Sequence, residues 1–280
     1  MRIEIISNYY FDRIRINLYM GLEKLNRIVD QEILNKYCDR VVIEEPHWMA
    51  QKYGYRSKIE LFQAEDEAIR HLQSLGLEKW AKIARIEIAY DEAYTDRELA
   101  ERFRDNFQAS TYLKGRNAIY ILPGTTYLGK PEHKWPTFYF LSYIPEGTKL
   151  GLENVWHREF VVKTNGRIKK VLGIEALNDL RTAQEHYEEL ERKYLVQAEL
   201  NRKRIAKHWP DKKFRDVASF VEVLAQAKEQ YRERIYSHRV MRMMCGKGLC
   251  RKFKVPVRFK QSRHEKLILG QGLGYWLIKK

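Results

Sequence analysis

The stretch Lys82–Asp91 (KIARIEIAYD) constrains this chain more than any other. Ile83, Ile86, Ile88 and Tyr90 supply the β-branched and aromatic content of a strand. A strand repeats every two residues, so Glu87 and Asp91 share one face, with Ala89 between them. Two carboxylates on one strand face are the kind of ligand that a hard divalent cation takes. A second acidic strand, Trp156–Val162 (WHREFVV), follows downstream, and its alternation puts His157, Glu159 and Val161 on one face. An isolated buried charge is costly, so such acids must be paired, protonated or metal-bound. The plain alternative is a solvated face on which Arg85 and Arg158 neutralise them.

Charge divides the chain. Residues 201–280 hold 22 of the 52 Lys+Arg but only 6 of the 37 Asp+Glu, which leaves residues 1–200 close to neutral. A basic surplus confined to one end points to a polyanionic partner, nucleic acid before any other. The basic residues expected to contact it are Arg202, Lys203, Arg204, Lys212, Lys213, Arg239, Arg242, Lys247, Arg251, Lys252, Lys254, Arg258 and Lys260. No apolar run reaches the ~18 residues of a membrane span, and the first residues lack the apolar core and cleavage site of a signal peptide. A cytoplasmic protein without membrane contact is therefore expected. Of the cysteines Cys38, Cys245 and Cys250, the last two have four residues between them, with His238 before and His264 after. That is too irregular to predict a zinc site.

Along the chain, residues 2–7 and 13–20 alternate as two short strands. A helical pattern then runs from Gly21 to about Cys38, and Arg40–Glu44 and Ser57–Phe62 read as strands. Ala64–Leu75 is an acidic-start helix stopped by Gly76. After Lys82–Asp91, Thr95 with Glu98 forms a capping box for a helix to Phe107. Ala118–Leu122 and Thr125–Leu128 flank a Pro-Gly turn, and Phe138–Ile144 is another apolar strand. Asn165-Gly166 predicts a hairpin joining Trp156–Val162 to Arg167–Leu172. Two long charged helices are expected next, from Glu175 to about His208 and from Phe214 to Met244. Short strands at Val255–Phe259 and Leu277–Ile278 complete the chain. Strand–helix–strand–strand occurs twice before residue 175, compatible with a pseudo-repeat.

Several chemistries are excluded locally. The chain has no Gly-x-x-x-x-Gly-Lys-Ser/Thr phosphate loop, no Gly-x-Ser-x-Gly elbow and no His-Glu-x-x-His. Nor is there a His-hydrophobic-His pair, so a metal would have to be held by carboxylates, which implies Mg²⁺ or Mn²⁺. Tyr143 ends an apolar strand before a Pro-Glu-Gly turn, and a tyrosine can attack a phosphodiester to leave a covalent phosphotyrosine. It is one of 18 tyrosines.

Four segments in this order resemble a known family: Arg85-Ile-Glu-Ile-Ala-Tyr-Asp91, then Thr125-Thr-Tyr-Leu-Gly-Lys130, a tyrosine-bearing aromatic strand, and Trp156-His-Arg-Glu159. Over residues 80–175 the chain resembles the rolling-circle replication initiation factors of plasmids and filamentous phages, the group without paired metal-binding histidines. The resemblance implies an enzyme that nicks one strand of origin DNA through a tyrosine, with a carboxylate-held divalent metal. Carried over by motif, Glu87 and Glu159 are metal ligands, Asp91 a supporting acid and Tyr143 the nucleophile. The sequence departs from the family twice. Glu87 stands where Asp is usual, and Tyr143 lies in Leu-Ser-Tyr-Ile-Pro rather than Arg-Ile-Tyr-x-Lys, which leaves Tyr139 as the fallback.

The expected architecture is an α+β core of mostly antiparallel sheet with packed helices over residues 1–173, followed by a basic, helical, DNA-binding region over residues 174–280. The partner is origin DNA, single-stranded or hairpin, and a homodimer is compatible with the chain. Two alternatives stay open: a nucleic-acid-binding protein that does not cleave, and a metal-dependent nuclease that uses water.

Overall fold

In the computed structural model, residues 6–114, 119–122, 125–129, 136–145, 153–200, 257–261 and 265–266 are described. Strands β1 (Ile6–Leu18) and β4 (Ala81–Ala93) pair antiparallel from end to end at the centre of an eight-stranded sheet. β1 is one strand where the sequence suggests two. Its register with β4 slips between Phe11↔Ile88 and Arg13↔Glu87, which makes Asp12 the extra residue of a β-bulge. The bulge reverses the parity of the strand, so Tyr9 and Phe11 before it and Ile14, Ile16 and Leu18 after it all reach one core.

Between β1 and β4 come α1 (Leu22–Ile28), α2 (Gln31–Lys36), β2 (Arg40–Glu44), α3 (Trp48–Gln51), β3 (Ser57–Ala64) and α4 (Asp66–Ser74). The single helix expected to Cys38 is broken after Val29, because the Asp30 carboxylate accepts from the Glu32 and Ile33 N–H groups and caps a new helix. α4 stops before Gly76, whose φ of +64° suits a residue without Cβ.

After β4 come α5 (Arg97–Ser110), β5 (Thr111–Leu113), β6 (Ile119–Leu122), β7 (Thr125–Leu128), β8 (Phe138–Tyr143) and β9 (Val155–Lys163). Asp96 rather than Thr95 caps α5, accepting from the Leu99 N–H at 2.7 Å. The strand order is β2-β3-β1-β4-β9-β8-β7-β6, with every pairing antiparallel. Each half begins on a central strand, passes through helix and returns by strands whose last member lies beside the first, β3 on β1 and β9 on β4.

The hairpin expected at Asn165-Gly166 is absent. Thr164, at φ +72°, turns the chain into α6 (Asn165–Leu172). Ile168, Val171 and Leu172 recur at helical spacing and are buried, and that burial outweighs the turn preference of Asn-Gly. Of the long helix expected over 175–208, the described part to Leu200 is also replaced. A 3₁₀ turn at Leu177–Asp179 precedes α7 (Ala183–Tyr194), which opens on a Thr182/Glu185 capping box and gives way to β10 (Leu195–Leu200). β10 joins β5, β11 (Val257–Gln261) and β12 (Glu265–Lys266) in a small second sheet. β11 overlaps the strand expected at Val255–Phe259. The helix expected over 214–244, the strand at Leu277–Ile278 and the basic positions from Arg202 to Lys254 lie outside the described residues.

Helices cover one face of the large sheet. Tyr187 of α7 packs on Tyr9, Tyr90 and Phe160, and Phe107 of α5 on Phe140 and Trp156. Mixed helix and antiparallel sheet agree with the α+β expectation. No described helix is long and apolar enough to cross a membrane.

Candidate active site

The other face of the same strands carries the polar chemistry. On β4 it presents Glu87, Ala89 and Asp91, and the β4–β9 register sets Glu159 opposite Ala89 and His157 opposite Asp91. On β8, Tyr143 lies opposite His157 and Tyr139 opposite Val161. On the β1 side, Tyr10 lies opposite Ala89, and the bulge residue Asp12 follows it.

Ligand oxygens of Asp12, Glu87 and Glu159 fall within 4.8 Å of one another, one carboxylate from each of three adjacent strands. Glu87 and Glu159, predicted together, are thus brought together. Asp91 is not part of this group. Four residues of extended chain cover about 13 Å, so two acids on one strand face need not share an ion. Asp91 instead accepts from the Tyr10 hydroxyl at 3.0 Å, and its second oxygen lies 2.7 Å from His157 Nδ1. Asp12 was missed. Its signal was the break in alternation between Phe11 and Ile14, which marks a bulge and can be confused with a gap between strands.

Burial raises the Glu87 pKa, with Asp12 adding to the effect and Arg85, which pairs with Glu87, opposing it. Burial pushes Glu159 up to about 7; the Glu87 and Asp12 charges add to this, and His157 acts against it. Three crowded carboxylates, two of them reluctant to ionise, form an all-oxygen donor set that fits a hard divalent cation. Of the arginine pairings expected, Arg85 with Glu87 is present, whereas Arg158 turns to the helix-covered face and pairs with Glu92.

Burial works against a charge on His157, but its hydrogen bond to Asp91 and the neighbouring Glu159 prevail and hold the imidazole up to about 9. Its ring tilts against Tyr143, with centroids 4.7 Å apart. Tyr143 is half-buried, and burial followed by the Glu159, Asp12 and Asp91 charges lifts its phenol well above the usual range. Burial and the Glu159 and Glu87 charges do the same to Tyr139, and burial with Asp91 to Tyr10. Three tyrosines therefore border the carboxylates, and Tyr10 is one that the sequence motifs did not single out. Arg258 and Lys260 fall on β11, opposite Glu199 and Gln197 of the second sheet.

No family model and no curated protein matches the chain. Among solved structures, it is similar to a rolling circle replication initiator protein from Geobacillus stearothermophilus, with 14% identity and a TM-score of 0.37 over 68% of this chain and 86% of that one. A likeness that distant carries no functional argument, so the chemistry must rest on the side chains.

Proposed function

We propose that this chain is a replication initiator that nicks one strand of origin DNA through Tyr143 and so starts rolling-circle replication. The observation that carries the reading is the meeting of Asp12, Glu87 and Glu159 on the sheet face that also bears Tyr143. The motifs of residues 80–175, which resemble those of rolling-circle initiators, support the same reading. In the reaction, the Tyr143 phenolic oxygen attacks the scissile phosphorus and loses its proton, and the bond from phosphorus to the 3′ oxygen breaks. The products are a 5′-phosphotyrosine and a 3′-hydroxyl, which serves as primer. A Mg²⁺ or Mn²⁺ ion held by Asp12, Glu87 and Glu159 would supply positive charge to the phosphate and the departing oxygen. Glu159 and Asp12, two of the three carboxylates whose charges lift the Tyr143 phenol, are groups such an ion would neutralise, so activation of the nucleophile would depend on loading the centre. Asp91 supports the site by holding His157. The basic region beyond residue 200 grips the DNA backbone through phosphate contacts.

The test is incubation of the full chain with a supercoiled origin plasmid and Mg²⁺ or Mn²⁺. Nicked circles with protein on the 5′ end are expected, abolished by chelator and reduced at least 10³-fold in Tyr143→Phe. A fully active Tyr143→Phe protein sinks the assignment of the nucleophile. DNA binding that ignores chelator, with no nicking by the wild type, replaces the reading with a binding protein.

A further inference from the structure

We propose that the aromatic and basic end of the large sheet, around Tyr19, Trp48, Tyr53 and Trp80, binds single-stranded DNA by stacking its bases. The inference takes from the proposed function only that the strand is DNA. Its own ground is where large apolar side chains meet solvent. Seven do so among the described residues, and five of them, Tyr19, Trp48, Met49, Tyr53 and Trp80, belong to this one end. Tyr53 is 77% exposed and Trp48 55%. Single exposed aromatics need no explanation, but a cluster of them marks a binding surface.

Hydrogen bonds and ring contacts hold the cluster together. The Tyr19 N–H donates to the Trp80 carbonyl at 2.9 Å, and the Arg56 N–H to the Leu18 carbonyl at 2.8 Å. The Tyr19 and Tyr55 rings are stacked, with centroids 4.6 Å apart. The N–H groups of Tyr53 and Tyr55 both donate to the Ala50 carbonyl, which ties them to α3 and Trp48. Ala81, next to Trp80, opens β4 six residues before Glu87. The cluster therefore lies roughly 20 Å along the strand from the carboxylate centre.

Charge selects the occupant. Lys52 Nζ lies 4.6 Å from the Trp48 ring centroid and Lys24 Nζ 5.5 Å from that of Trp80. Residues 46–58 contain Lys52, Arg56 and Lys58 but no acid. Glu23, Glu44 and Glu78, which flank the aromatic segments, engage Arg27, Lys58 and Asn178. A second copy of the chain meeting this surface face to face would set the cations against their own kind. Residues 201–280 carry the same sign, so they do not fit it either. A polyanion does. Unpaired bases offer flat faces to the rings while their phosphates meet the cations. In a duplex those faces are already stacked, so a single strand is the form that suits the cluster.

The decisive measurement is photocrosslinking of the full-length wild type to a thymidine oligonucleotide carrying iododeoxyuridine, at raised salt, where phosphate contacts weaken. Peptide mass mapping should find adducts at Trp48, Tyr53 or Trp80, and the same oligonucleotide annealed to its complement should give none there. Adducts confined to other segments overturn the inference. In the same buffer, Trp48→Ala and Tyr53→Ala should each weaken single-strand binding at least about 5-fold and leave duplex binding unchanged. Both side chains are exposed, so both variants should fold. Equal losses for the two forms of DNA, or none, overturn the assignment. So does a surface that takes anionic phospholipid vesicles or a second copy of the chain in place of the oligonucleotide. Tighter binding of a uridine RNA overturns the choice of DNA. Adducts at this end in a protein that forms no phosphotyrosine leave the inference standing and remove the nicking reading. Nicking without them does the reverse.

Discussion

The two faces of strands β4 and β9 differ more than any two segments of the chain. Ile86, Ile88, Phe160 and Val162 turn toward the helices and are fully buried, as large apolar side chains should be. Glu87, Asp91, His157 and Glu159, on the same strands, are almost as buried but carry ionisable groups. The first face gains about 1.5–3 kcal/mol for each large apolar side chain it buries. The second holds groups whose charged forms burial disfavours, the condition commonly met where a protein places its chemistry. Apolar packing and buried ionisable groups lie on opposite sides of one backbone.

That contrast can be broken most severely from the helix side. Phe160 is wholly buried between Phe138, Phe140 and Tyr187. Phe160→Ala should destabilise the fold by about 3–5 kcal/mol, read as a lower urea midpoint, with any nicking lost through unfolding. An unchanged midpoint would show that the helices contribute little to holding this face.

The faces should also respond to pH with opposite signs. On the carboxylate face, Glu159 keeps its proton up to about 7, where an unfolded chain has already released it near 4.5. The folded state therefore binds more protons in that window, and the metal-free protein should lose about 3 kcal/mol as pH rises from 4.5 through 7. His157, held up to about 9, extends the loss in the same direction between 6.5 and 9. Glu159→Gln should flatten the lower part of this slope, and a bound divalent ion should do likewise. On the helix face, His186 is buried against Phe11, and its Nε2 accepts from the Arg181 N–H at 3.0 Å. Burial and the Arg181 charge depress its pKa to about 4. The unfolded state binds the extra proton between 6.5 and 4, so about 3 kcal/mol should be lost as pH falls through that range. His186→Gln should remove that acid-side loss and leave the alkaline one. Denaturation midpoints of the metal-free protein from pH 4 to 9 check both signs.

The smallest effect belongs to the turn where β9 crosses to the helix face. Thr164 is β-branched yet sits at φ +72°. Thr164→Gly relieves that strain and should stabilise by about 1 kcal/mol, seen as a modest rise in Tm with metal affinity unchanged. A fall in Tm would show that the threonine side chain makes contacts that outweigh its backbone strain.

Much of the frame was legible because its signals are local. Arg40–Glu44 follows from its β-branched run, Phe138–Tyr143 from its aromatic content, and α4 from its stop at Gly76. Glu87 and Glu159 were identified from alternation and motif, and the register of β4 with β9 brings them together. The errors arose where local preference met tertiary packing. Asn165-Gly166 favours a hairpin in isolation, but Ile168, Val171 and Leu172 bury more surface as a helix. The charged stretch after Gly173 keeps its helix only to Tyr194, because Leu195–Leu200 pairs with β5 and β11.

By itself, then, the sequence determined which residues alternate, which strand faces carry acid and which end of the chain carries the basic surplus. Those properties depend on neighbours a few positions apart. Tertiary structure alone decided which acids meet. Asp91 shares a strand face with Glu87 but lies too far along it, whereas Asp12, 75 positions earlier, arrives beside it through a single bulge in the neighbouring strand. Distance along a strand is set by the covalent chain, but distance across a sheet is set by register. Register is a property of two strands together, and neither sequence segment contains it alone.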